Sequence, residues 1–590
     1  MFLLQAQGSV PRRSGKWAPL LALSMLLVIL SGCSTGNTGD TSPTSIKMQW
    51  STWKPGLPDL AWKAPVSGTL PADQVLHIEV TFKIDQAALE QMGKGKIAQA
   101  GESVSAADIA SKVGISDQDY QQIKAFFSGE NVTISLDSTR TVMTIEAKAS
   151  VIAQKLQTKF VVHKIDNRTF FAPDLNQLPK IPTAIAEKIQ AVTGLDNYSL
   201  PLQPLAQFTP LRGEIQQLQR AQGCQTRPGL VSPEVVARAY GFDQLWKAGW
   251  RGENMTINLV EIDGFNQSDV DHYGACVGAQ NQIKTVTVGK KAPAPGGEAT
   301  LDIEMIQGLA PRANIVVYQT ANATVQGINQ VLRQIIVDNA GKTRDAGRLV
   351  SISLGQAEQL LTADDMRAMS QSIQILTNSL HMSVFVASGD CGAYGMRIYG
   401  LRSVSFPASA PHAVAVGGTT MLLGKDGTRA DEIVWSDGSQ PVYCHNQWGS
   451  GGGLSVQFKQ PEWQVGDGVR NKYSTGMRQL PDIAAIADNL PVYFQGKWIG
   501  VGGTSAATPI WAAGMALVNQ GLIAQRDLFW YAPDTFYTAI ASASNRQPYY
   551  DVTKGNNLYY NATAHWDYTT GWGTPVLPAF YRVLYDNSQM

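Results

Sequence analysis

The chain has 590 residues, enough for more than one domain with a full core. Lysine plus arginine equal aspartate plus glutamate at 47 each, so no basic field argues for nucleic acid as a partner. Charged residues are only 16% of the total, a sparse surface charge that an exported protein tolerates.

The N-terminus reads as a targeting segment. Arg12, Arg13 and Lys16 precede the apolar run Leu20–Leu30, which is too short to span a bilayer and suits a signal h-region. The run ends in Leu30-Ser31-Gly32-Cys33, which resembles a bacterial lipobox. That resemblance implies a lipoprotein signal peptide over 1–33, with Cys33 lipidated and anchoring the chain to a membrane. Ser34 after the cysteine implies sorting to the outer membrane. Residues 34–70 are rich in Gly, Ser, Thr and Pro without periodicity and are expected to form a flexible tether.

From residue 71 the pattern alternates. Leu76, Ile78, Val80, Phe82 and Ile84 mark a half-buried strand, and Asp85–Met92 a helix. Ser116-Asp-Gln-Asp119 opens a second helix through Phe127. Val132–Leu136 and Val142–Glu146 are strands, Ser150–Phe160 is helical, and Phe160–Lys164 with Arg168–Ala172 makes a last hairpin. The order β-α-β-β-α-β predicts an α+β ferredoxin-like domain over 71–205. Residues 206–230 form a Pro- and Gln-rich junction. Over 231–590, buried strands at Ile257–Ile262, Ala313–Gln319, Arg348–Ser353 and Ser383–Ser388 alternate with helical stretches. This predicts an α/β fold with a parallel sheet flanked by helices.

The chemistry concentrates in three stretches. Gly-Gly-Thr504-Ser505-Ala-Ala-Thr-Pro509 places a serine where a glycine-punctuated strand meets a small-residue helix, and Pro509 is expected in that helix's first turn. Such a serine has backbone donors beside it that can hold an oxyanion. A serine nucleophile needs a base. None of the histidines (77, 163, 272, 381, 412, 445 and 565) precedes Gly-Thr or falls at a strand-to-helix junction, so a histidine base is nearly excluded. Instead Gly296-Gly-Glu298-Ala-Thr-Leu-Asp302 sets two carboxyls on one helical face. Acidic residues also suit an exposed first turn for dipole reasons alone. Asp390, in Ser388-Gly389-Asp390-Cys391, stands at the C-terminal end of a buried strand, where α/β sheets place ligands.

With Pro407-Ala-Ser-Ala-Pro411, Trp448-Gly-Ser-Gly-Gly-Gly453 and Leu480-Pro-Asp482, these stretches resemble the sedolisins, the serine-carboxyl peptidases, over nearly everything from residue 71 onward. Residues 71–205 resemble the kumamolisin-type activation domain, which would act as inhibitor and chaperone of its own peptidase. The resemblance implies a subtilisin-like sheet and an acid-acting endopeptidase made as a zymogen, with proteins or peptides as substrates. It makes Ser505 the nucleophile, Glu298 its general base and acid, Asp302 the carboxyl that orients Glu298, and Asp390 the oxyanion-hole donor. Glu261 matches a glutamate that extends the hydrogen-bond chain in some members. Two departures stand out: Leu354 replaces a tryptophan of some members, and Cys391 follows Asp390 in place of the commoner serine. Glu298 and Asp302 are expected to share one proton, and Asp390 to work protonated, which favours acid.

The C-terminal stretch from Asp551 to Gly573 resembles the family's calcium loop, which implies carboxylates from Asp551 and Asp567 and carbonyls from Val552, Thr563 and His565. The family usually has glycine at the last two carbonyl positions. Four cysteines besides Cys33 permit two disulfides, and sequence proximity favours Cys224–Cys276 and Cys391–Cys444. The alternative function is a catalytically inactive surface lipoprotein that binds peptides or proteins. An α/β-hydrolase esterase is excluded, because the sole Gly-x-Ser-x-Gly match lies in the lipobox.

Overall fold

The computed structural model describes residues 49–94, 97–205, 207–209, 230–343, 349–395, 400–436, 448–543 and 545–588. The signal segment, Cys33, Cys224 and Cys444 lie outside the described residues. Cys276 and Cys391 are both disulfide-bonded.

The activation domain is built on a four-stranded antiparallel sheet in the spatial order Ile189–Thr193, Val75–Phe82, Val142–Lys148, Thr133–Leu136. In chain order this is 4-1-3-2, the ferredoxin-like arrangement. Its buried face is the alternation of Leu76, Ile78, Val80 and Phe82, against which the helix Asp117–Phe127 sets Ile123 and Phe127. One expected strand is different. The hairpin Phe160–Ile165/Arg168–Pro173 leaves this sheet and pairs with Val66–Thr69, and Ile189–Thr193 takes the fourth place.

The tether also needs correction. Residues 50–69 are folded onto the activation domain: Trp50–Thr52 pairs with Lys180–Pro182, and Val66–Thr69 with the hairpin. Their Gly- and Pro-rich composition hides a few apolar anchors, of which Leu57 and Ala61 are buried with Phe170 and Tyr198.

The peptidase part is an eight-stranded sheet between helices. Its strands are β1 (Thr256–Glu261), β2 (Ile283–Thr287), β3 (Asn314–Gln319), β4 (Leu349–Ile352), β6 (Ser383–Ala387), β7 (Val414–Leu423), β8 (Arg429–Val434) and β9 (Ile483–Ile486); β5 (Leu354–Ala357) lies just beyond β4 in a separate small sheet. The order is β2-β3-β1-β4-β6-β7-β8 with β9 also on β7, and every pair is parallel except β7–β8. The β-branched and apolar runs of β1, β4 and β6 are buried along their whole length, as a sheet covered on both faces requires. Strand β10 (Lys497–Gly502) runs directly into the site. Two helices matter for function: α1 (Gly297–Leu309) and α2 (Thr504–Arg526), which pack against each other.

The activation domain docks through a buried ion pair. Glu79, 1% exposed, receives Arg333 Nη1 and Nη2 at 2.9 and 2.6 Å and Gln330 Nε2 at 3.0 Å. Beyond it, the chain between the two domains crosses the peptidase as two short strands. Gln203–Pro204 pairs antiparallel with β5, and Gln207–Thr209 with β10.

Candidate active site

Ser505 is the second residue of α2 and is fully buried. The turn before it is made by Gly503 at φ +128°, a backbone conformation that side chains rarely adopt. Pro509 lies inside α2, beyond its expected place in the first turn. A proline there leaves the carbonyl four residues earlier, that of Ser505, without its helical donor. The Ser353 Oγ lies 3.2 Å from that carbonyl, which competes with Asp302 for its one hydroxyl hydrogen.

Ser353, just past β4, is the hub of the site. Its Oγ also lies 3.0 and 2.8 Å from Asp302 Oδ1 and Oδ2, and its carbonyl accepts the Ser505 hydroxyl at 3.3 Å. Nothing local in the sequence distinguishes Ser353 from any serine at a strand end.

Glu298 and Asp302 do share one face of α1, but this helix is no exposed acidic surface. Glu298, Asp302 and Glu304 are 1%, 0% and 0% exposed. Glu261, at the end of β1, is also 0% exposed and lies beside Asp302. Burial pushes the Glu261 carboxyl well up, and Asp302, Asp263 and Glu298 push it further. Burial likewise raises Asp302, against the hydrogen bond from Ser353 that lowers it. Charges this close cannot all ionise cheaply, so Glu261 and Asp302 hold a shared proton above the ordinary carboxylate range. The proton expected between Glu298 and Asp302 is thus placed between Glu261 and Asp302 instead, with Glu298 acting on Glu261.

Asp390, 1% exposed, is fastened to the residue before the nucleophile. Its Oδ1 accepts both the Thr504 N–H and the Thr504 hydroxyl at 2.8 Å. The Gly389 N–H donates to the same hydroxyl at 3.2 Å. Asp390 lines a small cavity of about 30 Å³ together with Gly355, Ser403, Ser405 and Leu205 of the interdomain chain.

At the C-terminus, Thr563 N–H donates to Asp567 Oδ2 and His565 N–H to Asp551 Oδ2, each at 2.8 Å, so one loop is tied to both carboxylates. Burial raises Asp551 and pushes Asp567 up to about 6. Of the two positions where glycine is usual, only His565 is left-handed, at φ +66°. No group of three or more His, Cys, Asp or Glu suited to a metal occurs among the described residues, so main-chain carbonyls would have to supply much of any coordination. Two hard carboxylates, partly desolvated and held by one carbonyl-rich loop, fit calcium.

A doubly covered parallel sheet with a serine at a helix N-terminus, served by buried carboxyls, defines a subtilisin-like serine peptidase. The chain belongs to the subtilase family, in its sedolisin branch, with a kumamolisin-type activation domain: the model described as "Subtilase family" matches residues 274–573, and "Pro-kumamolisin, activation domain" matches 67–198. Kumamolisin of Bacillus sp. (strain MN-32) is 29% identical over 498 residues, covering 79% of this chain and 83% of that one. Sedolisin of Pseudomonas sp. (strain 101) is 28% identical over 539 residues, 86% of each chain. The solved structure of Pseudomonas sedolisin (serine-carboxyl proteinase), complexed with two molecules of pseudo-iodotyrostatin, aligns with a TM-score of 0.53 at 27% identity. It covers 60% of this chain and 98% of that one.

Ser353 generates a prediction with a definite sign. Ser353→Ala removes a hydrogen bond to a buried carboxyl, which costs roughly 1.5–3 kcal/mol, or about 10- to 100-fold in kcat/KM. Because that bond lowers Asp302, its loss raises Asp302 and moves the alkaline limb of the pH profile upward. Peptide hydrolysis across pH checks both; an unchanged rate and limb would remove Ser353 from the network.

Proposed function

We propose that this chain is an acid-acting serine-carboxyl endopeptidase made as a zymogen, whose first substrate is its own interdomain chain. One observation carries the reading: the Leu205 N–H donates at 3.2 Å to the Ser353 carbonyl, the same oxygen that accepts the Ser505 hydroxyl. The chain before Leu205 is held as a strand on β5 and the chain from Gln207 as a strand on β10. A peptide gripped on both sides of a nucleophile by main-chain pairing is presented as a substrate.

In this reading Ser505 Oγ adds to the Leu205 carbonyl carbon and gives its proton to Glu298, which Asp302 orients. The oxyanion formed is held by the Ser505 N–H and by protonated Asp390. The C–N bond to Ala206 then breaks, and the departing amine takes the proton back from Glu298. Water then adds to the acyl carbon and gives a proton to Glu298, and as the bond to Ser505 Oγ breaks Glu298 returns that proton to the serine. The same proposal includes export and anchoring through Cys33, supported by the order of basic, apolar and cysteine residues in the sequence. Cleavage after Leu205 would free the peptidase from that anchor.

Calcium belongs to the proposal through Asp551 and Asp567, with carbonyls of Val552, Thr563 and His565. When bound it would neutralise the two carboxylates and brace the loop.

Acid incubation of the full chain is expected to yield a fragment whose N-terminal sequence begins Ala206-Gln207-Phe208, and the matured enzyme is expected to digest denatured casein at low pH. Ser505→Ala should abolish both. Processing of purified Ser505→Ala at the wild-type rate, or casein digestion independent of Ser505, contradicts the reading.

Calcium should raise the melting temperature of the wild type, because an ion held only by the folded state stabilises it by mass action. Asp551→Asn should lose this increment, while His565→Gly, which keeps the carbonyl and relieves the left-handed residue, should retain it. A melting temperature indifferent to calcium and chelator would exclude the site.

A further inference from the structure

Asp263 carries no role in the chemistry above, yet the structure binds it to the centre of that chemistry. It stands two residues past the end of β1, and its two carboxylate oxygens reach across to the first turn of α1. Oδ2 accepts the Glu298 N–H at 3.1 Å and Oδ1 the Ala299 N–H at 3.0 Å. These are donors that a helix N-terminus leaves open, and α1's own cap residue, Gly296, has no side chain to meet them. The approach depends on that glycine. A Cβ on Gly296 would fall 1.9 Å from Asp263 Oδ2. The two segments are also zipped by main chain, Gly264 N–H to the Ala294 carbonyl at 2.8 Å and Gly296 N–H to the Gly264 carbonyl at 2.7 Å.

We propose that Asp263 is a positioning residue of the reaction: acting as a cap donated from a neighbouring strand, it pins the first turn of α1, and with it Glu298, and it does so as an anion facing the buried carboxyls. The inference rests on the peptidase reading above. Burial raises Asp263 as well, but the Ala299 and Glu298 N–H groups oppose that rise, and an anion is favoured at the positive end of a helix. The ionisable groups that meet there are Glu261 from β1, Asp263 after it, and Glu298 and Asp302 from α1. The Asp263 charge raises both Glu261 and Asp302. It therefore helps the couple keep its proton as pH rises.

The test is the pH profile of kcat/KM on one peptide for three proteins matured under identical conditions. Asp263→Asn keeps a carbonyl acceptor and loses the charge, so the couple gives up its proton sooner and the alkaline limb moves to lower pH. Gly296→Ala pushes the carboxylate off the two N–H groups but keeps the charge nearby, so kcat should fall by about tenfold, the scale of a lost cap, with a smaller shift of the limb than in Asp263→Asn. A limb that does not move in Asp263→Asn, or a kcat unaffected by Gly296→Ala in a folded protein, overturns the proposal while wild-type acid activity stands. Absence of Ser505-dependent activity in the wild type overturns the peptidase reading, and this inference with it. If Asp263→Asn does not fold, the Gly296→Ala comparison decides alone: loss of melting temperature with no loss of kcat makes the cap merely structural.

Discussion

Everything in the site follows from the burial of carboxyls against one another. Glu261, Glu298 and Asp302 are at most 1% exposed, and Asp263 lies against the first turn of the same helix. Separately each would resist ionisation by desolvation; together they also repel. The fold relieves this in two ways. One is the positive end of α1, whose first two N–H groups offset part of the burial cost of Asp263. The other is protonation, which lets Glu261 and Asp302 share what neither could hold alone as an anion. Ser353 completes the arrangement, because its Oγ lies within hydrogen-bond distance of both Asp302 and the Ser505 carbonyl, between the acid helix and the nucleophile helix.

The mechanism we propose takes its base from a carboxyl rather than a histidine, and the buried arrangement suits that choice. A buried imidazole would have to become charged among these groups in acid, whereas a carboxyl accepts the serine proton by becoming neutral. His412, the described histidine with a large shift, shows the cost: burial alone pulls it down to about 4. The proposed zymogen mechanism uses the same surroundings: the interdomain chain pairs with β5 up to Pro204 and with β10 from Gln207, so in that reading inhibition and first turnover are two outcomes of one binding mode.

Much of this was legible in the sequence, and the reasons are local. Glu298 and Asp302 could be placed on one face because four residues make about one helical turn, and Ser505 and Asp390 because they sit at the ends of recognisable apolar strands. The parallel core strands matched within one or two residues for the same reason. What escaped was non-local. Asp263 and Ser353 earn their positions only through contacts 35 and 51 residues away. The fourth strand of the activation domain is chosen by competition between two apolar segments for one sheet edge, which periodicity cannot decide. Residues 50–69 looked like a tether because their few apolar anchors are scattered among Gly, Ser and Pro, and their order comes from pairing with strands far on in the chain, at 180–182 and 161–163.

The most direct test of the account is the pH dependence of kcat/KM for the matured wild type beside Glu298→Gln. A base drawn from a buried carboxyl network predicts a wild-type profile confined to acid and falling before neutrality, and a Glu298→Gln enzyme with little activity at any pH. A wild type that rises to a plateau at alkaline pH, or a Glu298→Gln enzyme that keeps the wild-type profile, would contradict it.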